Sequence, residues 1–421
     1  MIFNTIHDMI GNTPLLLIDE SVHGIANLTL YAKLEMMNPF GSVKDRIAKS
    51  MFLGDAESIK NEGRTVIESS SGNTAKALSV LCAMHGVPFK TVTNRIKSNH
   101  MRETLRYLNA ELVELPGISD CPDPTNPEDP LYVIEQTVTR EPERYYHTDQ
   151  YFNQKNVQAH YESGREIHND LGDVDYFFAD LGTCGTSVGI GTYLREHQEK
   201  KAHIIGVVTE EGSYVPGGRS TNELYETGFY NKEFYDGIVT GSTRAAIAGM
   251  QRLAHHAGLL CGPTTGLIFS SVTEWFSKHP PEEPTTAVFI ACDRLEAHLE
   301  YLKSHQADER THYEAVEAPA LDSDSIEGTF KIDIRTNIAF RLGHIPGSIN
   351  IPTHLLDQMI STGPSFPNTE RIVLICPIGE HAKPLVSRLR TQGYDAYVLE
   401  GGIVRWRADN NRCEPYKSSA K

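Results

Sequence analysis

A lysine stands between a Gly-Ser turn and a helix-like segment in Asn38-Pro39-Phe40-Gly41-Ser42-Val43-Lys44-Asp45-Arg46. A primary amine held there can condense with the aldehyde of a carbonyl cofactor, provided its surroundings keep it deprotonated often enough to attack. Two further loops carry complementary chemistry. Glu68-Ser69-Ser70-Ser71-Gly72-Asn73-Thr74 follows a strand-like run and opens a helix, so hydroxyls, an amide and free backbone N–H groups converge where an anion such as a carboxylate is favoured. Leu181-Gly182-Thr183-Cys184-Gly185-Thr186 repeats that order, with small residues that let backbone amides approach phosphate oxygens, which describes a phosphate cup. Taken singly, each of the three is also what an ordinary turn or helix cap looks like.

The elements needed to position these loops are present. Strand-like runs at 65–68, 89–92, 176–179, 204–208 and 287–291 alternate with helix-like segments such as Thr74 to His85 and His100 to Leu108, the pattern of helices layered on a mainly parallel sheet. The Pro- and Asp-rich stretch from Cys121 to Pro130 reads as a surface loop. From Ser304 to Ser325 the chain turns polar and acidic without a period, as a linker does, and a second α/β alternation follows. There Lys331–Ile334 and Arg371–Ile375 look like strands, and His381 to Gln392 like a helix. The expected organisation is a domain over 1–305, a linker over 306–324 and a small domain over 325–415.

The 421 residues are enough for two or three domains, and a hydrophobic content of 39% is ordinary for a globular chain. A formal net charge of −16 disfavours nucleic acid and anionic membrane surfaces as partners. No apolar run approaches a membrane span, and Met1 to Asp8 lacks the regions of a secretion signal, so a cytoplasmic protein is expected. The seven cysteines are scattered, with no C-x-x-C pair, so neither a disulfide framework nor a bound metal is expected.

In combination and in this order, the loops resemble the fold-type II pyridoxal phosphate (PLP) enzymes of the cysteine synthase and cystathionine β-synthase family over roughly residues 1–305. The resemblance also rests on Ile10-Gly11-Asn12-Thr13-Pro14-Leu15, Gln150-Tyr151-Phe152-Asn153 and Gly262-Pro263-Thr264-Thr265-Gly266. It implies a two-lobed α/β fold like the β subunit of tryptophan synthase, with PLP as cofactor and a homodimer as the default assembly. By the same resemblance Lys44 carries the Schiff base and Asn73 bonds the cofactor's ring oxygen. Ser70, Ser71, Gly72, Thr74 and Gln150 hold the substrate carboxylate, and Gly182, Thr183, Cys184, Gly185 and Thr186 surround the phosphate. Thr264 faces the pyridine nitrogen, and a hydroxyl there leaves the ring neutral, which suits α-proton removal with loss of a β-substituent to an aminoacrylate. The freed Lys44 is then the general base.

The chain also departs from that family. Cys184 stands at the usual central glycine of the cup, either as a structural substitution whose side chain points away or as a functional thiol. Lys76 brings a cation near the substrate mouth. Arg219, in Gly212-Ser213-Tyr214-Val215-Pro216-Gly217-Gly218-Arg219, reads either as an exposed loop residue or as a grip on an anionic leaving group such as the phosphate of O-phosphoserine.

The tail resembles a single rhodanese domain through Ile332-Asp333-Ile334-Arg335, Gly343 to Pro352, Cys376-Pro377-Ile378-Gly379-Glu380-His381-Ala382 and Leu399 to Trp406. Cys376 falls where rhodaneses carry a persulfide-forming thiol, in a loop whose N–H groups would favour a sulfur anion. Pro377 and Glu380 replace expected donors and cations, leaving two readings: a sulfur carrier loaded by another donor protein, or a docking domain. The expected activity is β-replacement on an O-activated L-serine, giving cysteine or an S-substituted cysteine. The alternatives are an amine nucleophile giving a 2,3-diaminopropionate-type product, a cysteine β-lyase, and, in a different class, a non-catalytic sensor or scaffold.

Overall fold

The computed structural model describes residues 2–94, 96, 98–115, 129–224, 227–310, 319–362, 366, 371–409 and 412–414. The expected loop from Cys121 to Pro130 falls outside them except for Asp129 and Pro130, where Pro130 opens the Pro130–Arg140 helix with Asp129 as its cap. Two units form, Met1–Leu302 and Lys303–Lys421.

The first unit carries ten described strands: β1 (Leu15–Ile18), β2 (Leu28–Lys33), β3 (Thr65–Glu68), β4 (Phe89–Thr93), β5 (Glu111–Glu114), β6 (Tyr145–His147), β7 (Tyr176–Asp180), β8 (His203–Thr209), β9 (Gly237–Gly241) and β10 (Thr285–Ile290). They divide into two sheets, one of order β1-β2-β10-β7-β8-β9 and one of order β5-β4-β3-β6. All pairings are parallel except β1 with β2. Strands β7, β8 and β10 are apolar on nearly every residue because helices cover both faces of a parallel sheet. The larger sheet packs a core built on Phe177, Phe178, Ile204, Ile205, Phe269 and Phe289, and the smaller sheet has its own core around Phe52, Val66, Leu78 and Leu81. Two lobes with separate cores are what the sequence implied.

Ligand-binding loops in such sheets gather at the carboxyl ends of the strands. Here β3 ends at Glu68, β7 at Asp180 and β10 at Ile290, and the Asn73–His85 and Gly185–His197 helices begin a few residues after the first two. The first of these helices starts one residue before the expected Thr74, as helix boundaries commonly shift.

The second unit holds β11 (Ala320–Leu321), β12 (Phe330–Asp333), β13 (Ile349–Asn350), β14 (Ile372–Ile375) and β15 (Ala396–Leu399) in a parallel sheet of order β11-β15-β14-β12-β13. The stretch 306–324, read as linker, contains two elements. The Leu299–Arg310 helix runs into it, and β11 pairs with β15 near its end. Neither left a signal, because a charged segment without an apolar stripe and a two-residue edge strand have no period to detect.

Candidate active site

Lys44 is the first residue of the Lys44–Phe52 helix and is half-buried. Its backbone N–H donates to Ser42 Oγ at 3.2 Å, while the N–H of Val43 donates to the carbonyl of Cys292 at 2.8 Å, tying the turn to the end of β10. Ser42 Oγ donates to Asp45 Oδ1 at 3.2 Å and the Phe40 N–H donates to Asp45 Oδ2 at 2.6 Å, which closes the turn around a buried carboxyl that desolvation raises to about 7. Below Lys44 the helix is pinned by Arg46. Its guanidinium donates to both oxygens of Glu35 at 2.7 and 2.8 Å and to both of Glu166 at 2.7 Å, and Lys33 reaches Glu166 at 2.8 Å.

The 68–74 loop is held from beneath by Glu68, which is fully buried. Its carboxylate accepts from the Ser69 N–H at 2.8 Å, the Thr148 hydroxyl at 2.6 Å and the Gln150 N–H at 3.2 Å. Gln150 donates through Nε2 to the Ser69 carbonyl at 2.7 Å and accepts from the Thr74 hydroxyl at 2.9 Å. Ser70 Oγ accepts from the backbone N–H groups of Gly72 and Ala75 at 3.4 and 3.1 Å, so it caps the helix and keeps its own hydrogen for a ligand. Thr74 and Gln150, expected together on the substrate, are thus bonded to one another across the two loops. Glu68→Ala should loosen both at once and raise the KM for the amino-acid substrate by about tenfold with a smaller change in kcat, the signature of a positioning residue read by steady-state kinetics.

Asn73 donates through Nδ2 to Asp293 Oδ2 at 2.7 Å, and His298 lies 2.8 Å from the same oxygen. That bond joins the smaller sheet's loop to the end of the larger sheet. Burial opposes ionisation of Asp293, but His298, Asn73 and Lys76 together hold its carboxyl below the ordinary range. Lys76 is drawn down by burial, with Asp45 and Asp293 acting the other way, so this departure places an amine among two carboxyls.

The 182–186 cup opens the Gly185–His197 helix, whose first-turn N–H groups have no intrahelical acceptor. Thr183 Oγ1 accepts from Asn156 Nδ2 at 3.2 Å, and Thr186 Oγ1 pairs with His160 Nε2 at 3.2 Å. Burial, with help from Lys44 and Arg46, holds His160 far below its ordinary value and therefore neutral. A Cβ at Gly185 would stand 2.0 Å from Asn156 Oδ1, so only glycine fits. Cys184 adopts φ +65° and is 2% exposed, with the Thr227 hydroxyl 3.7 Å from its sulfur.

Thr264 donates its hydroxyl hydrogen to the Pro216 carbonyl at 2.6 Å. Arg219 is not an exposed loop residue: it is 4% exposed, its guanidinium lies 5.2 Å from the Tyr151 ring centre, and it donates to the Glu223 carbonyl at 3.0 Å and to the Tyr151 hydroxyl at 3.2 Å. The loop's glycines and tyrosine suggested exposure, whereas Thr209 pairs with Ser220 and draws Arg219 inward.

Sequence reasoning passed over Asp180, Asn156, His160, Cys292 and Asp293. Asp180 had a usable signal, since it ends a strand immediately before the cup. Cys292 and Asp293 follow β10 beside the Lys44 turn, a neighbourhood set by sheet order alone.

In the second unit Cys376 follows β14 and is fully buried, accepting from the Gly379 N–H at 3.1 Å. Its carbonyl accepts from the Ile403 N–H at 3.0 Å, and a Cβ at Gly402 would stand 2.3 Å from that carbonyl oxygen. One N–H on the sulfur is fewer than the loop resemblance implied, because Pro377 has none to give.

A lysine at a helix start, an anion-binding loop and a cup at a helix N-terminus, supplied by the ends of parallel strands, fit PLP. Asn73 and Asn156 leave their Oδ1 atoms buried without a hydrogen-bond partner beside the loop and the cup. The model for the family described as pyridoxal-phosphate dependent enzyme matches residues 6–293, and that for the rhodanese-like domain matches residues 318–409. The chain belongs to the fold-type II pyridoxal-phosphate dependent enzymes, with a rhodanese-like domain following, and its cofactor is PLP. Within that family it is similar to cysteine synthase B of Pseudomonas aeruginosa, 31% identical over 306 residues that cover 70% of this chain and 96% of the relative. Among solved structures it is similar to an O-acetylserine dependent cystathionine β-synthase from Helicobacter pylori, with a TM-score of 0.60, 28% identity and coverage of 71% of this chain and 98% of that one. A hydrogen sulfide-producing enzyme from Fusobacterium nucleatum gives a TM-score of 0.61 at 26% identity, covering 71% and 99%. Among the described residues no helix is long and apolar enough to cross a membrane.

Proposed function

We propose that this chain catalyses β-replacement on an O-activated L-serine, with a sulfur nucleophile entering to give cysteine or an S-substituted cysteine. The observations that support the reading are the bonds of the 70–74 loop to Gln150 and to Asp293, with the Lys44 turn tied to Cys292 next to Asp293. The similarity to cysteine synthase B gives it the substrate class.

PLP, when bound, withdraws electrons from the substrate Cα so that the α-proton can be taken and the β-substituent can leave. Lys44 Nζ holds the cofactor and then takes the α-proton. Ser70, Ser71, Thr74, Gln150 and the Gly72 backbone hold the substrate carboxylate, and Asn73 orients the ring oxygen. Gly182, Thr183, Gly185 and Thr186 bind the phosphate, with Cys184 contributing backbone to the cup. Arg219 takes an anionic leaving group. In that role Arg219→Ala should lower kcat/KM with O-phosphoserine by about 10²-fold and with O-acetylserine by under tenfold, because a guanidinium gains far more from a phosphate than from a neutral ester. An equal loss with both substrates would make Arg219 a packing residue.

The domain partition proposed is a catalytic unit through about residue 305 and a rhodanese-like unit from about 325. Cys376 is proposed to carry sulfur from a donor protein, which keeps the nucleophile at a high effective concentration. Because the thiol is buried, its loop must open for loading. A cytoplasmic homodimer completes the reading.

The test incubates the whole protein with O-acetylserine or O-phosphoserine and sulfide, thiosulfate or amino acids, and identifies the products by mass. A β-substituted alanine carrying sulfur is expected. Only nitrogen-substituted products, or sulfide released from cysteine, would replace the reading with an amine transferase or a lyase, and no product with PLP bound would favour a sensor. Cys376→Ser should abolish transfer from a protein-bound persulfide and leave turnover with free sulfide intact; unchanged transfer from every donor would make the tail a docking module.

A further inference from the structure

Asp293 stands where three chain segments meet and has no task in the reaction described above. It forms a β-bridge with Ser42 in the Lys44 turn, its carbonyl accepts from the Gly262 N–H at 2.9 Å, and its carboxylate accepts from Asn73, the first residue of the Asn73–His85 helix. The side chain is 6% exposed and is held on two sides. His298 Nε2 lies 2.8 Å from its Oδ2, and a Cβ on Gly262 would stand 2.0 Å from its Oδ1 and 2.8 Å from His298 Nε2, so the backbone before the Pro263–Lys278 helix closes directly on the pair.

The Asn73 amide has two ends of nearly equal size, and only the nitrogen can donate to an oxygen of the cofactor. Asn73 Oδ1 is buried without a hydrogen-bond partner, so among the described residues the bond from Nδ2 to Asp293 Oδ2 at 2.7 Å is what settles which way the amide faces. Against burial, His298, Asn73 and Lys76 hold the Asp293 carboxyl below its ordinary range. An ionised carboxylate only accepts, so it takes Nδ2 and rejects Oδ1, and it obliges His298 to donate through Nε2. Nδ2 carries two hydrogens and the bond to Asp293 uses one, which leaves the second for the ring oxygen.

Resting on the proposed contact of Asn73 with the cofactor's ring oxygen, we propose that Asp293 is a positioning residue that fixes the Asn73 amide with an N–H toward that oxygen, and that His298 in turn fixes Asp293. A donor at the ring oxygen favours its anionic form, in which lysine-linked PLP absorbs in the visible. With the amide reversed, Oδ1 would face the ring oxygen as acceptor to acceptor. The proton otherwise carried by the Lys44 nitrogen then moves to the ring oxygen, and the absorbance moves to the near ultraviolet. The carboxylate after β10 thus sets an electronic property of the cofactor without touching it.

The experiment reads the absorbance spectrum of the PLP-loaded whole protein, with PLP affinity measured by fluorescence titration, in the wild type, Asp293→Leu, Asn73→Ala and the double variant. Asp293→Leu is expected to lower the ratio of the visible to the near-ultraviolet band by about tenfold, the scale of one hydrogen bond to a charged group. Asn73→Ala should do the same, and the double variant should lose no more than either single one, because Asp293 acts through Asn73. Asp293→Asn, which keeps an acceptor oxygen for Asn73 and His298, should restore most of the visible band. Asp293→Ala gives the same reading if the leucine variant does not fold. A wild-type spectrum without the Asp293 carboxylate, additive losses in the double variant, or no recovery in Asp293→Asn would overturn the inference and make Asp293 a packing residue. A wild-type protein without the lysine-linked band, or an Asn73→Ala variant with an unaltered one, would instead overturn the cofactor assignment of Lys44 or Asn73 on which the inference rests.

Discussion

Lys44→Ala is expected to lower β-replacement turnover by roughly 10³-fold or more, because one substitution removes both the amine that holds the cofactor and the base that takes the α-proton. The visible absorbance of lysine-linked PLP should disappear together with activity. Lys76 is the rival amine: it stands among the carboxyls of Asp45 and Asp293, and burial makes its free base more accessible. Borohydride reduction of the wild-type holoenzyme followed by peptide mass analysis separates the two. The modified peptide should contain Lys44, and a tag on the Lys76 peptide, or absorbance and turnover surviving Lys44→Ala, would sink the assignment.

The second large effect falls on stability. Arg46→Met removes the cation shared by Glu35 and Glu166, which are 1% and 11% exposed on their side chains. Breaking a buried pair from one side leaves an uncompensated charge, so the loss should be about 3–5 kcal/mol, read as a fall in the denaturant midpoint at unchanged slope. A loss below about 1 kcal/mol would show that water or a rearranged Lys33 replaces Arg46. The same network sets an acid limit. Burial opposes the charge on Glu166, yet Arg46 and Lys33 hold its carboxyl down to about 2, below its ordinary 4.5. The stability this contributes is therefore complete above about pH 4.5 and is lost as the pH falls through about 2, which an acid titration of unfolding follows. In the Arg46→Met protein that acid transition should begin at a higher pH.

The parallel strands and the three loops were legible in the sequence because each is a local pattern, and the two lobes were implied by the resemblance those patterns carry. The 68–74 and 182–186 loops announce themselves by small and hydroxyl residues between a strand and a helix, and the structure puts both at helix starts. The tail was legible in the same way, through Asp333, the Gly343–Pro352 run and the Cys376 loop. The exposure of Arg219 was left open because burial is not a property of a loop's composition. Its environment is made by Tyr151 and by the pairing of Thr209 with Ser220, one of them 68 residues away.

What the sequence determined by itself is therefore the set of chemical parts: an amine, an anion loop, a phosphate cup, a hydroxyl at a helix start and a thiol in a second module. Their order along the chain was enough to assign the family. Tertiary structure alone decided what each part faces. Sheet order, with β10 between β2 and β7, carries Cys292 and Asp293 to the Lys44 turn and Cys292 to Asp180. Contacts between residues more than a hundred positions apart depend on how strands are shuffled in a sheet, and a single chain's local patterns do not encode that shuffle. The same shuffle gives Asp293 the Asn73 amide across the two sheets.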